Sequence, residues 1–310
     1  MTDKQSTTPL YVVIVLSMFV WGVTWPSGKI LSQYGATADI VFIRYIIVVL
    51  SLIPLLVLLR TNLKIKKEGI LPVLLAGALM AIYGYLFLLG VKKGLSGAGG
   101  VLTTTLNPIM AYALGLMLSR KTPSLKESLG LVLGIIAGSI LLKIWSNLED
   151  IFNSGNLYFL LAALSWALMS KITSQANKYG NAFSFSFWIY LVTLACLAPL
   201  VDFAEIPRII ATADHIFWIN IIYNGLVSTA LATSAYIYAT AKLGAEKASS
   251  FIFLVPTSAA LSAWIILDEY IQTHTLIGGA LGIIAVYIIN YKAKTTNGRG
   301  TIKSHGSTAA

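Results

Sequence analysis

Charge is scarce in this sequence: Asp, Glu, Lys and Arg make up 11% of it, where soluble domains carry about 25%. So little charge cannot cover a water-facing surface. An ordinary soluble enzyme or binding module is therefore unlike it, and lipid must face much of the 57% hydrophobic content. Cysteine is scarcer still. Cys196 stands alone inside an apolar segment, so it offers no internal disulfide and no zinc site and reads as a small buried apolar side chain. Acids at membrane depth are missing as well: Asp39 begins an apolar segment, Glu269 ends one, and the other ten of the 12 acids fall in loops or tails. His215, His274 and His305 also stand at segment edges or in the tail. This distribution argues against a buried nucleophile–base set, a metal cluster and a dedicated carboxylate proton relay. No enzyme activity, metal or cofactor is expected.

What is abundant is long apolar runs. A helix crosses the hydrocarbon core with about 20 mostly apolar residues. Segments of that kind run 10–32, 40–59, 70–91, 98–118, 128–145, 156–176, 183–201, 216–239, 246–267 and 274–291, which makes ten. They are continuous rather than alternating, so helices fit and a β-barrel does not. The first run, from Leu10, is too long for a signal-peptide core and lacks a small-residue cleavage site, so it reads as the first span. The net charge of +10 does not point to nucleic acid, because the basic residues are scattered through short loops. With the N-terminus in the cytoplasm, 16 of the 22 Lys and Arg fall on the inner side. That is the orientation the loop-charge rule requires, and it puts both termini in the cytoplasm of a plasma-membrane protein.

The chain also repeats itself. Leu133-Gly134-Ile135-Ile136-Ala137 recurs as Leu281-Gly282-Ile283-Ile284-Ala285, a shift of 148 that also relates Gly130 to Gly278 and Pro108 to Pro256. Earlier in each half the shift is 145, relating Trp21 to Trp166, Tyr34-Gly35 to Tyr179-Gly180, and Pro54 to Pro199. The expected architecture is an all-α membrane protein of ten helices in two inverted five-helix repeats, 10–145 and 156–291, with a polar disordered tail over 292–310. An odd number of spans per half turns the second half upside down, a design that places a binding site near the midplane between halves.

Trp21-Gly22-Val23-Thr24-Trp25-Pro26-Ser27-Gly28-Lys29 resembles the first-helix signature of the EamA family in the drug/metabolite transporter superfamily. Arg44 in Phe42-Ile43-Arg44-Tyr45 resembles an arginine of that family's second helix. Leu254-Val255-Pro256, then Asp268-Glu269, then Gly278 to Ala285 resemble its ninth helix, closing glutamate and tenth helix. The resemblance covers roughly residues 10–291 and implies a carrier of small metabolites with a central cavity. One departure stands out: Glu269 follows Pro256 by thirteen residues, whereas Lys121 occupies that place after Pro108, so no role is assigned to Lys121.

Several residues inside the spans could carry function. Lys29 and Arg44 are the basic ones. Both lie toward the outer ends of their helices, where long side chains can snorkel to the interface; the sharper reading makes them a positive outer vestibule for a carboxylate or phosphate. Tyr83, Tyr85, Thr103, Thr104, Asn107, Trp166, Tyr223, Asn224, Tyr236, Tyr238 and Ser258 could form a cavity wall. As alternatives, aromatics crowd membrane interfaces and Ser, Thr and Asn tie helices together. Pro26, Pro108 and Pro256 should kink their spans as hinges or fixed bends. Gly130, Gly134, Gly138, Gly278 and Gly282 form grooves for close helix packing, within the chain or at a dimer contact. Gly94, Gly97, Gly99 and Gly100 lack the context of a nucleotide loop and read as a turn.

The reading that results is a secondary transporter, alternating access between two halves, exporting amino acids or similar solutes. An importer or exchanger of a phosphorylated or cofactor-type metabolite is the alternative. Its partners would be membrane lipid and a small-molecule substrate, with the protein a monomer or homodimer.

Overall fold

The computed structural model describes residues 8–119, 122–146, 155–243 and 250–290. Among these, all regular secondary structure is helical. Lys121, His305 and the tail from 292 onward lie outside the described residues. Helices occupy each apolar segment: α1 (Thr8–Leu31), α2 (Thr37–Leu58), α3 (Ile70–Lys93), α4 (Ser96–Ser119), α5 (Leu125–Leu141), α6 (Asn156–Thr173), α7 (Ala182–Leu197), α8 (His215–Leu243), α9 (Leu254–Leu267) and α10 (Thr273–Asn290). Seven of them, α1 to α4 and α6 to α8, are long and apolar enough to cross a membrane by length and composition. The 14 residues of α9 rise only about 21 Å, and a 3₁₀ turn at Ser250–Phe253 extends it.

The surface is apolar where a soluble protein would be polar. Leu58 is 79% exposed and Ile265 72%, and such contiguous apolar exposure marks a surface meant for lipid. Polar side chains turn inward: Thr24, Ser27, Thr103, Asn107, Asn224 and Thr229 are all buried.

Without a hydrophobic drive between helices in lipid, close contact and hydrogen bonds must hold the bundle together. Thr103 Oγ1 donates to Phe159 O (3.3 Å) and Asn107 Nδ2 to Ala163 O (3.2 Å), tying α4 to α6. Ser258 Oγ donates to Phe19 O (3.1 Å) and Ser262 Oγ to Gly22 O (3.2 Å), tying α9 to α1. The second of these has a clear cause. Pro26 lies inside α1 and has no N–H, so the Gly22 carbonyl four residues earlier loses its helical donor, and Ser262 supplies one.

The glycine spacing of α5 and α10 serves contacts within the chain. Gly130 faces Ile289 and the Ala285 carbonyl, and Gly278 faces Leu141 and the Ala137 carbonyl. Gly134 and Gly138 receive Ile109 and Leu106 of α4, and Gly282 receives Thr105. The start of each of α5 and α10 thus meets the end of the other, so the pair is antiparallel.

Candidate functional site

Three patterns of i, i+3 and i+4 spacing build a cavity in the middle of the bundle. Trp21, Thr24 and Trp25 share one face of α1; Met80, Tyr83 and Phe87 share one face of α3; Thr103, Thr104 and Asn107 share one face of α4. With Trp166 of α6, Arg44 of α2, Ser228, Thr229 and Thr233 of α8, and Ile252 and Val255 at the start of α9, they line a cavity with a free volume of about 40 Å³. That is room for about three waters, so a larger solute needs the wall helices to move apart.

The walls are largely aromatic. Trp21 meets Trp166 edge-on at 5.2 Å between centroids, Trp166 meets Tyr83 at 4.8 Å, and Trp25 meets Phe87 at 4.9 Å. Into this box projects one charge. Arg44 is 6% exposed, eight residues into α2, and turns inward rather than to the interface. Its Nη2 donates to Thr229 Oγ1 at 2.6 Å, and its Cζ lies 5.6 Å from the Tyr45 ring centre and 5.5 Å from that of Phe87. Its Nε has no partner, and among the described residues no carboxylate pairs with it or lines the cavity. A buried cation without an acid beside it is costly.

Thr229 holds the arginine because of an irregularity in α8. Residues Tyr223–Thr233 are π-helical, and the hydroxyls of Thr229 and Thr233 donate to the carbonyls five residues back, Asn224 O at 2.8 Å and Ser228 O at 3.1 Å. Such stretches are rare and concentrate at functional sites. Here the wider turn brings Ser228, Thr229 and Thr233 to the cavity wall.

Several expected wall residues lie outside the cavity. Tyr85 follows Tyr83 by two residues, about 200° around the helix, and faces away. Tyr223 donates to Val20 O (2.7 Å), Asn224 to Ser27 Oγ (2.6 Å) and Ser258 to Phe19 O, so all three tie α8 or α9 to α1. Tyr236 backs Trp21 and Trp166 from behind, and Tyr238 stacks on Phe183. Trp21, Thr24, Trp25, Met80, Phe87, Ser228, Thr229, Thr233, Ile252 and Val255 were not expected there. The helical spacing of Trp21, Thr24 and Trp25 could have revealed the first three; nothing in the sequence marks Ile252 or Val255.

The joint vestibule of Lys29 and Arg44 is also corrected. The two residues line different cavities, because Arg44 points into the bundle while Lys29, at the end of α1, donates to the Gly94 carbonyl (2.8 Å). Lys29 lines an open cavity of about 380 Å³ with Lys93, Lys143 and His274. The same end of the bundle is closed by polar links. Glu269 accepts from Ser96 N (3.1 Å), Ser96 Oγ (3.0 Å) and Gly97 N (2.9 Å), capping α4 across the α9–α10 loop. Asp39 accepts from Asp202 N (2.9 Å), and Tyr34 donates to Asp214 (2.7 Å). The Phe217 amide and the Tyr34 hydroxyl hold the Asp214 carboxyl below its ordinary range. Glu269→Ala should lower thermal stability by about 2 kcal/mol, since hydrogen bonds to a charged group are each worth roughly 1.5–3 kcal/mol. Glu269→Gln should cost less than half of that. An unchanged melting temperature for Glu269→Ala would show that the cap contributes nothing to stability.

Pro26 and Pro108 lie inside α1 and α4. Pro256 is the third residue of α9, where an N–H has no helical partner to lose, so it breaks no hydrogen bond and instead follows the 3₁₀ turn.

The model of the EamA-like transporter family matches residues 8–143 and again 153–291. The chain belongs to the EamA-like transporter family. It is a multi-pass membrane protein of a family of transporters. Among its relatives, the uncharacterized transporter YoaV of Bacillus subtilis is 25% identical over 281 residues, 89% of this chain and 94% of YoaV. A WAT1-related chloroplastic protein of Arabidopsis thaliana is 25% identical over 213 residues, 65% of this chain, which spans 50% of that protein's length. A probable amino-acid metabolite efflux pump of Salmonella typhimurium is 23% identical over 219 residues, 66% of this chain and 71% of the pump. One solved crystal structure shares the fold of this EamA-like transporter with a TM-score of 0.58 at 13% identity, covering 92% of this chain and 98% of its own.

Proposed function

We propose that this transporter is a ten-span carrier in the plasma membrane, with both termini cytoplasmic. Its halves, 10–145 and 156–291, stand in opposite orientation and rock around the cavity to export carboxylate-bearing solutes related to amino acids. One observation carries the reading of the solute: the central cavity presents a buried guanidinium with no acid among the described residues that line it. The Salmonella relative's name, a probable amino-acid metabolite efflux pump, adds to it.

The inverted arrangement is supported by the contacts of α5 and α10. The 148-residue shift takes Gly130 to Gly278, Ala137 to Ala285 and Leu141 to Ile289, and it takes the contacts of Gly130 onto those of Gly278. Self-complementary contact of that kind is what a two-fold axis produces. Because the pair is antiparallel, the axis runs across the helices, in the membrane plane, as alternating access between inverted halves requires. The α4–α6 and α9–α1 hydrogen-bond pairs are related in the same sense. Pro26 and Pro108 serve as the bends about which α1 and α4 move.

A phosphorylated or cofactor-type solute is the second reading, favoured by Lys29, Lys93 and Lys143 around the open end cavity. It ranks lower because a phosphate brings about two negative charges to a central cavity with one cation. Saturable counterflow in proteoliposomes tests the carrier: preloaded unlabelled solute should accelerate uptake of labelled solute from a cell-release screen. Non-saturating flux without such acceleration would indicate a channel.

A further inference from the structure

The charge of the central cavity selects among the solutes of the proposed carrier, and this inference rests on that reading. Of the described residues lining the cavity, Arg44 has the one formal charge. Its donors are only partly used: Nη2 is engaged by Thr229, whose own proton goes to the Asn224 carbonyl, and Nε is unpartnered. The guanidinium fork is thus available to a carboxylate, which it binds through paired N–H groups.

We propose that the solute is a monoanion: a monocarboxylate with an apolar, aromatic-type body and no free ammonium. The deciding quantity is the charge count in a site walled by Trp21, Trp25, Tyr83, Phe87 and Trp166. A monocarboxylate brings the loaded cavity to neutrality. A zwitterion binds the arginine equally well but leaves the loaded cavity with a net positive charge, its ammonium facing no acid among the described lining residues. An amine adds a second positive charge. Uncompensated charge in a low-dielectric interior is strongly disfavoured, and ring faces and hydroxyl oxygens offer an ammonium only part of what a carboxylate would. A dianion overshoots in the other direction.

The test compares matched probes on the full chain in proteoliposomes, by counterflow and by quenching of cavity tryptophan fluorescence. The probes are 3-phenylpropanoate, phenylalanine, N-acetylphenylalanine and 3-phenylpropanamide. The expected order places 3-phenylpropanoate and N-acetylphenylalanine at least about tenfold tighter than phenylalanine, a gap of one decade in affinity. N-Acetylation restores the single negative charge while enlarging the molecule, so its rescue cannot come from size. Arg44→Gln should remove the advantage of 3-phenylpropanoate over its amide, and Arg44→Lys should restore part of it. The wild-type series decides the matter even if no Arg44 variant folds. Phenylalanine bound as well as 3-phenylpropanoate would overturn the inference and leave the carrier reading intact. No response to any probe from folded wild-type protein would also overturn it. The carrier reading falls separately, if no solute from the release screen shows counterflow.

Discussion

Arg44→Gln is expected to raise the melting temperature of the empty protein while lowering its affinity for a carboxylate solute at least about tenfold. The two effects have one origin. The guanidinium is 6% exposed, with one hydrogen bond to Thr229 and two aromatic faces nearby. Losing that bond costs about 1.5–3 kcal/mol, and the ring contacts contribute about 0.5–2 kcal/mol. The desolvation of an unpaired ion costs several kcal/mol, so its removal wins by about 1–2 kcal/mol. A ligand at a hundred times its wild-type dissociation constant should then stabilise the wild type by about 2.7 kcal/mol and the variant by about 1.4 kcal/mol or less. Thermal unfolding with and without 3-phenylpropanoate measures both. A variant less stable than wild type in the empty state would make Arg44 a structural brace instead.

The second large effect is steric. At Gly22 an added methyl group would lie 2.7 Å from the backbone carbonyl carbon of Ser258, so α1 and α9 would have to separate. Backbone cannot yield as a side-chain tip can, and overpacking of this kind costs about 1–3 kcal/mol. Separation would also break the bonds from Ser258 to Phe19 and from Ser262 to Gly22. Gly22→Ala should therefore lower stability by about 3 kcal/mol and impair transport. Gly115 of α4 is the control: nothing lies within 4 Å of the place a methyl group would take there, so Gly115→Ala should stabilise by up to about 1 kcal/mol through helix propensity. Thermal unfolding of the two variants side by side should give opposite signs. Equal signs would mean that packing at Gly22 is loose.

Much of this architecture is legible in the sequence. Continuous apolar runs place helices because lipid requires every backbone group to be satisfied within the helix, and the repeated glycines of α5 and α10 do meet partner helices. Side-chain direction is not legible. Arg44 and Lys29 look alike in sequence, a long cation near the same end of a span, yet one turns into the bundle and the other lines the open end cavity. The π-helical stretch at Tyr223–Thr233 is hidden too, since its hydroxyl-to-carbonyl bonds depend on neighbours in α2 and α1. That shift in register explains why Asn224 and Tyr236 leave the cavity wall while Ser228, Thr229 and Thr233 enter it. Glu269 is legible as an acid closing an apolar segment, but its capping of α4 is not, because the start of α4 lies 172 residues away in the chain.

The charge of the cavity also bears on direction. On the proposed reading, a carrier that moves a monoanion without a proton transfers one negative charge per molecule, and a membrane potential of 100 mV contributes about 2.3 kcal/mol per charge. An inside-negative potential would then drive such a solute out, in the direction proposed above. The direct measurement is the ratio of charge to solute in proteoliposomes, with the potential set by potassium and valinomycin and 3-phenylpropanoate flux followed alongside current. The expected result is about one negative charge per molecule and outward flux that rises with inside-negative potential. Flux with no accompanying charge and no response to potential would contradict it.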